Sequence, residues 1–162
     1  MESIDSKELF QFFQKNLICE SLTQKEVDIL ADYLQVKTFK KGEIISDFGE
    51  VGDFLGFIIE GKAVFTAPDG VDEAEVGTQG VGTLIGEMSF FDRKPRQLRI
   101  KAKKSVKMLI LTRCMYDRIK VEHPYIAVNI VENAIVSLDR LVRHMGQDIT
   151  ALEHYMHGIG KR

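Results

Sequence analysis

The chain has 162 residues, 44% of them hydrophobic and 28% charged, with a net charge of −2. These proportions suit one globular domain with an appendage and exclude a disordered or fibrous chain, and the near-balanced charge gives no support for nucleic acid binding by bulk electrostatics. No stretch is apolar for long enough to span a bilayer, the acidic start MESIDSKELF is unlike a secretory signal, and Cys19 and Cys114 lack the spacing of a metal or redox motif, so a reducing cytoplasm is the expected setting.

Leu9, Phe10, Phe12, Phe13 and Leu17 recur at mainly helical spacing, which predicts an amphipathic helix over 5–17 within an N-terminal helical segment, 1–21. A second helix is predicted to start at Thr23. Thr23 and Glu26 have the spacing of a capping box, in which each side chain satisfies a backbone amide at the helix start. Val27, Leu30, Ala31 and Leu34 form its apolar stripe.

Between Val36 and Leu111 the texture is β-prone: short apolar runs such as GFIIEGKAVF and KMLIL are punctuated by glycines. APDGVDEAEVG carries hairpin turn chemistry. Many short antiparallel strands predict a mainly β fold, an antiparallel β-roll of the jelly-roll type, because a closed or two-sheet roll protects strand edges. The basic run Lys94, Arg96, Arg99, Lys101, Lys103, Lys104 and Lys107 reads as the charged face of a soluble edge strand.

Helical periodicity returns in RCMYDRIKVEHP, a hinge helix over 113–123, and Pro124 can open the next helix. A long helix is predicted over 124–145. Ala127, Val131, Ala134, Leu138, Leu141 and Met145 alternate in threes and fours like a coiled-coil seam, and Ile126, Ile130, Ile135 and Val142 add apolar surface beside it. Such a helix has two surfaces to bury, which predicts a homodimer through 124–145. Residues 146–162 form a short tail, too short for a DNA-reading helix-turn-helix with its supporting core, so direct DNA binding is not expected.

Three other features lead to bland readings. GVGTLIG lacks the GK[ST] ending of a phosphate-binding loop. All four histidines, at 123, 144, 154 and 157, follow the strand region, which argues against a metal-dependent enzyme on the roll. Cys114 opens a helix without a nearby histidine or second thiol and reads as structural.

The segment GEMSFFDRKPRQLRI sets a glycine and an acid ahead of an apolar turn and an arginine ten residues after the glycine. Glycine lets a backbone approach a ligand, a carboxylate accepts from sugar hydroxyls, and an arginine offers a planar fork to phosphate oxygens. With these residues, and with FKKGEIISDFGEVGDFLGFIIEGKAVF placing Gly42, Gly49, Gly52, Asp53 and Gly61 at turns, the chain over 22–145 resembles the cyclic nucleotide-binding domain family.

The resemblance implies a phosphate-binding cassette in which Glu87 contacts the ribose 2′-hydroxyl and Arg96 the cyclic phosphate, with Phe90 and Phe91 covering the cassette helix on the barrel side. The implied nucleotide-binding set is Gly86, Glu87, Met88, Ser89, Arg96, Gln97 and Leu98. Where the family has a small residue and then alanine after the arginine, this chain has Gln97 and Leu98. Leu98 alternates with Ile100 and Ala102 on the predicted inward face of a strand, where its bulk narrows the pocket.

The implied function is a non-enzymatic, stand-alone sensor of cAMP or cGMP, without cofactor or metal, that repositions its C-terminal helices to act on an effector protein. The alternative is a degenerate member serving as a dimeric protein-interaction module without nucleotide.

Overall fold

The computed structural model describes residues 4–159. Helix α1 (Ser6–Lys15) is capped by the Asp5 side chain and buries Leu9 and Phe13. It ends two residues before the predicted Leu17, because Leu17 turns to φ 56 and lies exposed. Helix α2 (Gln24–Ala31) starts with the expected capping box: the Thr23 hydroxyl accepts from the Glu26 amide, and the Glu26 carboxylate accepts from the Thr23 amide at 2.7 Å.

The β region opens with β1 (Gln35–Phe39), β2 (Ile44–Ser46), β3 (Phe54–Glu60) and β4 (Ala63–Asp69). It continues with β5 (Asp72–Gln79), β6 (Leu84–Ile85), β7 (Arg99–Ala102) and β8 (Val106–Thr112). Among the described residues they form two four-stranded antiparallel sheets, ordered β1-β8-β3-β6 and β2-β7-β4-β5. The expected hairpin is present: Asp69 pairs with Asp72 around Gly70–Val71, and Gly70 takes φ 63, the left-handed conformation that glycine adopts without a Cβ clash. The expectation of a basic edge strand is corrected. β7 lies inside its sheet between β2 and β4, so its charges serve neighbouring strands rather than a bare edge.

The apolar run KMLIL is buried on both faces, which explains why it lacks alternation in composition while alternating in contact. Met108 and Ile110 face the roll interior with Phe39, Ile58, Ile100 and Ala102. Leu109 and Leu111 face a second cluster in which the sheet meets the helices, through Phe13, Leu30, Ile119, Ile126 and Ile130. The Phe13 and Phe57 rings stand 5.7 Å apart and fasten α1 to β3.

Between β6 and β7 lies a short helix, α3 (Glu87–Asp92), and after β8 come α4 (Arg113–Glu122) and α5 (Pro124–Ile159). His123 is extended at φ −141, as the residue before a proline prefers, and Pro124 opens α5. Two expectations for α5 change. The helix does not stop near Met145 but runs through the tail to Ile159. The predicted seam is also divided, because Ala127 and Ala134 are buried in the domain's own core. The stripe left outward is Val128, Ile135, Val142 and Ile149, the last two 65% and 57% exposed. Among the described residues, no helix is long and apolar enough to cross a membrane.

Candidate functional site

The site forms where three segments converge: the β2–β3 loop, the β6–α3 turn and the strand-like approach to β7. Arg96 is tied into the first by its backbone, donating to Glu50 O at 2.9 Å and accepting from Gly49 N at 2.9 Å, beside a bridge between Val51 and Pro95. Its half-buried side chain then passes between two glycines. A Cβ on Gly52 would stand 2.9 Å from Arg96 Nη2, and one on Gly86 would stand 3.3 Å from it and 2.9 Å from Phe54 O. Gly86 also takes φ 92, so the turn needs glycine for conformation and for space.

Within this cradle, Arg96 Nε and Nη2 are buried and have no hydrogen-bond partner among the described residues. Burial pulls the guanidinium below its ordinary value, and the charges of Glu50, Asp53 and Glu87 oppose that shift. Buried guanidinium donors without acceptors are uncommon, since each costs the hydration it has lost. The Phe54 ring centre lies 6.0 Å from the guanidinium carbon.

Glu87 begins α3 and is largely buried. Burial pushes its carboxyl above the ordinary range, against the opposing effects of its own backbone amide, a hydrogen bond from Ser137 and the charge of Arg96. Ser137 Oγ donates to Glu87 Oε1 at 2.9 Å, which brings the middle of α5 onto the cassette. Ser89 is buried and fully engaged within the fold: its hydroxyl accepts from Gly52 N at 2.7 Å and donates to Lys94 O at 2.6 Å. That pair of bonds fixes the β2–β3 loop against α3. Met88 points outward and is 60% exposed.

Gln97 is exposed and Leu98 half-buried, both in a bend ahead of β7. The expectation that Leu98 shares the inward strand face with Ile100 and Ala102 is therefore corrected. Strand pairing begins only at Arg99, so the inward alternation starts after Leu98. Phe90 and Phe91 also divide: Phe90 is 1% exposed and Phe91 39%, so only the first covers the barrel side. Each ring meets Tyr116 of α4 nearly edge-on, at 5.4 and 5.8 Å between centres.

Three further members of the basic run are paired with carboxylates of neighbouring segments. Arg99 donates to Asp47 Oδ1 at 2.7 Å and pairs with Glu73, Lys101 pairs with Glu73 at 2.9 Å, and Lys103 with Glu75 at 2.6 Å. No group of three or more His, Cys, Asp or Glu side chains suited to a metal ion occurs among the described residues.

Two site residues escaped the sequence reading. Ser137 had one available signal, a small polar residue within an apolar helical stretch. Arg113 had another: a cation in the first turn of a helix opposes the macrodipole, so something else must hold it there. Arg113 Nη2 donates to Gly52 O at 2.7 Å and to Phe90 O at 2.5 Å, joining α4 to the β2–β3 loop and to α3.

Residues 36–119 match the family model of the cyclic nucleotide-binding domain. Among curated proteins, the cGMP-dependent protein kinase of Toxoplasma gondii is 32% identical over 87 residues, covering 54% of this chain and 8% of the kinase. The chain thus spans a small part of that relative. A cyclic nucleotide-binding domain from Methylobacillus flagellatus shares the fold at TM-score 0.80 and 19% identity, over 90% of this chain and 85% of that one. The catabolite activator protein of Thermus thermophilus superposes at TM-score 0.69 with 26% identity, over 84% of this chain and 62% of its own.

Proposed function

The chain belongs to the cyclic nucleotide-binding domain family, and from that premise we propose that it is a non-enzymatic sensor of a cyclic nucleoside monophosphate, cAMP or cGMP. The observation that carries this reading is the guanidinium of Arg96, held between Gly52 and Gly86 with two buried donors unspent. A cyclic phosphate is a singly charged anion with two exocyclic oxygens, and it offers the acceptors that Glu50, Asp53 and Glu87 do not supply at hydrogen-bond distance. Glu87 would take the ribose 2′-hydroxyl, a neutral donor suited to a carboxylate already shielded from water. No cofactor or metal is required for such recognition.

Signalling would follow the contacts that join the cassette to the C-terminal helices. Phe90, Phe91 and Tyr116 make one aromatic contact between α3 and α4, and Arg113 makes a polar one. A ligand shifts these helices only as far as it prefers one arrangement over the other. The output would be read by an effector protein through α4 and α5.

The same reading includes a homodimer, with the seam moved from its expected register. Val128, Ile135, Val142 and Ile149 recur every seven residues, and Leu138 and Met145 follow three residues after Ile135 and Val142. β-Branched residues at the first of these positions favour two parallel strands.

Thermal unfolding with added cAMP or cGMP tests the function. Ligand at 100 times its dissociation constant stabilises the folded state by about 2.7 kcal/mol, so the midpoint should rise with either nucleotide and not with the linear 5′-monophosphate. An unchanged midpoint at millimolar concentrations of both overturns the reading in favour of an interaction module without nucleotide.

A further inference from the structure

Ser137 and Glu87 lie 50 positions apart in sequence, on α5 and α3, and Ser137 Oγ reaches Glu87 Oε1 at 2.9 Å. Among the described residues, this is the hydrogen bond that joins the cassette helix to α5. Neighbouring side chains show how far α5 is seated on the domain. On α5, Ala134 is buried one turn before Ser137, while Ile135 faces outward. The helix is therefore seated in the domain as far as this turn, and residues 139–150 are exposed.

A glutamate side chain has three rotatable bonds, and a carboxylate can present either oxygen to a donor. The Ser137 hydroxyl occupies Oε1 and so fixes which edge of the group is left to accept. Resting on the proposed nucleotide-binding role of this site, we propose that Ser137 is a positioning residue. It holds the Glu87 carboxylate through Oε1 so that Oε2 receives the ribose 2′-hydroxyl, and recognition of that hydroxyl thereby depends on the seating of α5.

Two consequences follow. Discrimination between a ribonucleotide and its 2′-deoxy analogue is set partly from α5, forty-one residues beyond Arg96. By linkage, the bound 2′-hydroxyl must in turn steady α5 around Ser137, because coupling between two equilibria is reciprocal. The pairing of Arg96 with the cyclic phosphate is not involved, so phosphate affinity and ribose discrimination separate.

The experiment measures the affinity of cAMP and of 2′-deoxy-cAMP for the wild type, Ser137→Ala and Ser137→Thr. Alanine is a better helix former than serine, so the fold is not at risk. Ser137→Ala should weaken cAMP about fivefold to tenfold, the scale of one hydrogen bond to a charged group acting through its neighbour. It should leave 2′-deoxy-cAMP within about twofold, and Ser137→Thr should restore the difference. Amide exchange adds a second readout: cAMP should slow exchange over 133–141 more than 2′-deoxy-cAMP does, and Ser137→Ala should erase that difference. Equal losses for both ligands, no loss for either, or tighter cAMP binding in Ser137→Ala overturns the positioning role while the sensor reading stands. A wild type that binds neither cAMP nor cGMP overturns both, and one that binds only cGMP is tested in the same way with cGMP and 2′-deoxy-cGMP.

Discussion

Arg113 Nη2 donates to the main-chain oxygen of Phe90 at 2.5 Å while its guanidinium carbon stands 4.2 Å from the centre of the Phe90 ring. One side chain thus holds the backbone and the ring of a single residue, and its bond to Gly52 O extends the hold to the β2–β3 loop. Phe90 lies near the end of α3, where carbonyls lack intrahelical partners, so the arginine closes that helix from outside. Replacing Arg113 with methionine keeps much of the stem packing and removes both charge-assisted bonds. The expected cost is about 2 kcal/mol of folding stability, read as a lower urea midpoint with an unchanged slope. A midpoint equal to the wild type would show that these bonds contribute nothing net.

Glu87 gives a pH dependence whose sign follows from its environment. Burial raises its carboxyl above the ordinary value of 4.5, so over a window beginning there the folded chain keeps a proton that the unfolded chain has released. Folding stability contributed by this group therefore falls as pH rises through that window. Glu87→Gln cannot ionise. The variant should gain stability relative to the wild type as pH rises toward neutrality, while losing affinity for a ribonucleotide. Urea midpoints across a pH series check this, and two curves that stay parallel contradict it.

The two thiols should react differently. Cys19 is buried, and burial, with the charge of Glu132 as the smaller cause, pushes its thiol up to about 12, whereas Cys114 is exposed on α4. Since the thiolate is the reacting species, a disulfide reagent at neutral pH should titrate one thiol in the folded protein and two after unfolding. Two fast equivalents from the folded protein would contradict the burial of the α1–α2 connection, where the Cys19 amide donates to Asn133 Oδ1 of α5 at 3.3 Å.

The outward stripe on α5 predicts where a charge breaks self-association. Val142→Glu or Ile149→Glu puts an unpaired carboxylate into the proposed seam without touching the buried face of the domain, where Ile130 and Ala134 pack. Sedimentation should show a dimer for the wild type and a monomer for a variant that carries both changes, with the unfolding midpoint of the domain retained. A wild type that sediments as a monomer at micromolar concentration counts against the dimer.

Features set by neighbours in sequence were legible before the fold was known. The Thr23–Glu26 capping box and the Gly70–Val71 turn each depend on a few adjacent residues, and both are present. The grouping of Gly86, Glu87 and Arg96 was legible because it lies within one eleven-residue stretch. What escaped depends on partners far along the chain. β7 is interior because Lys101 finds both Ile44 and Val64, so its basic residues read as an edge until those pairings are known. Helix α5 carries two overlapping apolar stripes, and sequence spacing alone does not tell which one the domain claims. Ala127 and Ala134 are small enough to let the helix approach closely, which leaves the larger Val128 and Ile135 outside. Ser137 acquires meaning only once α5 has been laid across α3.

Calorimetric titration of cAMP and cGMP into the wild type and Arg96→Ala asks whether the Arg96 guanidinium holds the cyclic phosphate. The wild type should bind at least one nucleotide measurably, and removing donors that bond a phosphate forfeits about 1.5 to 3 kcal/mol for each charge-assisted bond. Affinity should be at least about tenfold weaker for Arg96→Ala, without loss of thermal stability in the absence of nucleotide, because two buried unpaired donors go with the side chain. Equal affinity in the two proteins would mean that Arg96 does not hold the phosphate.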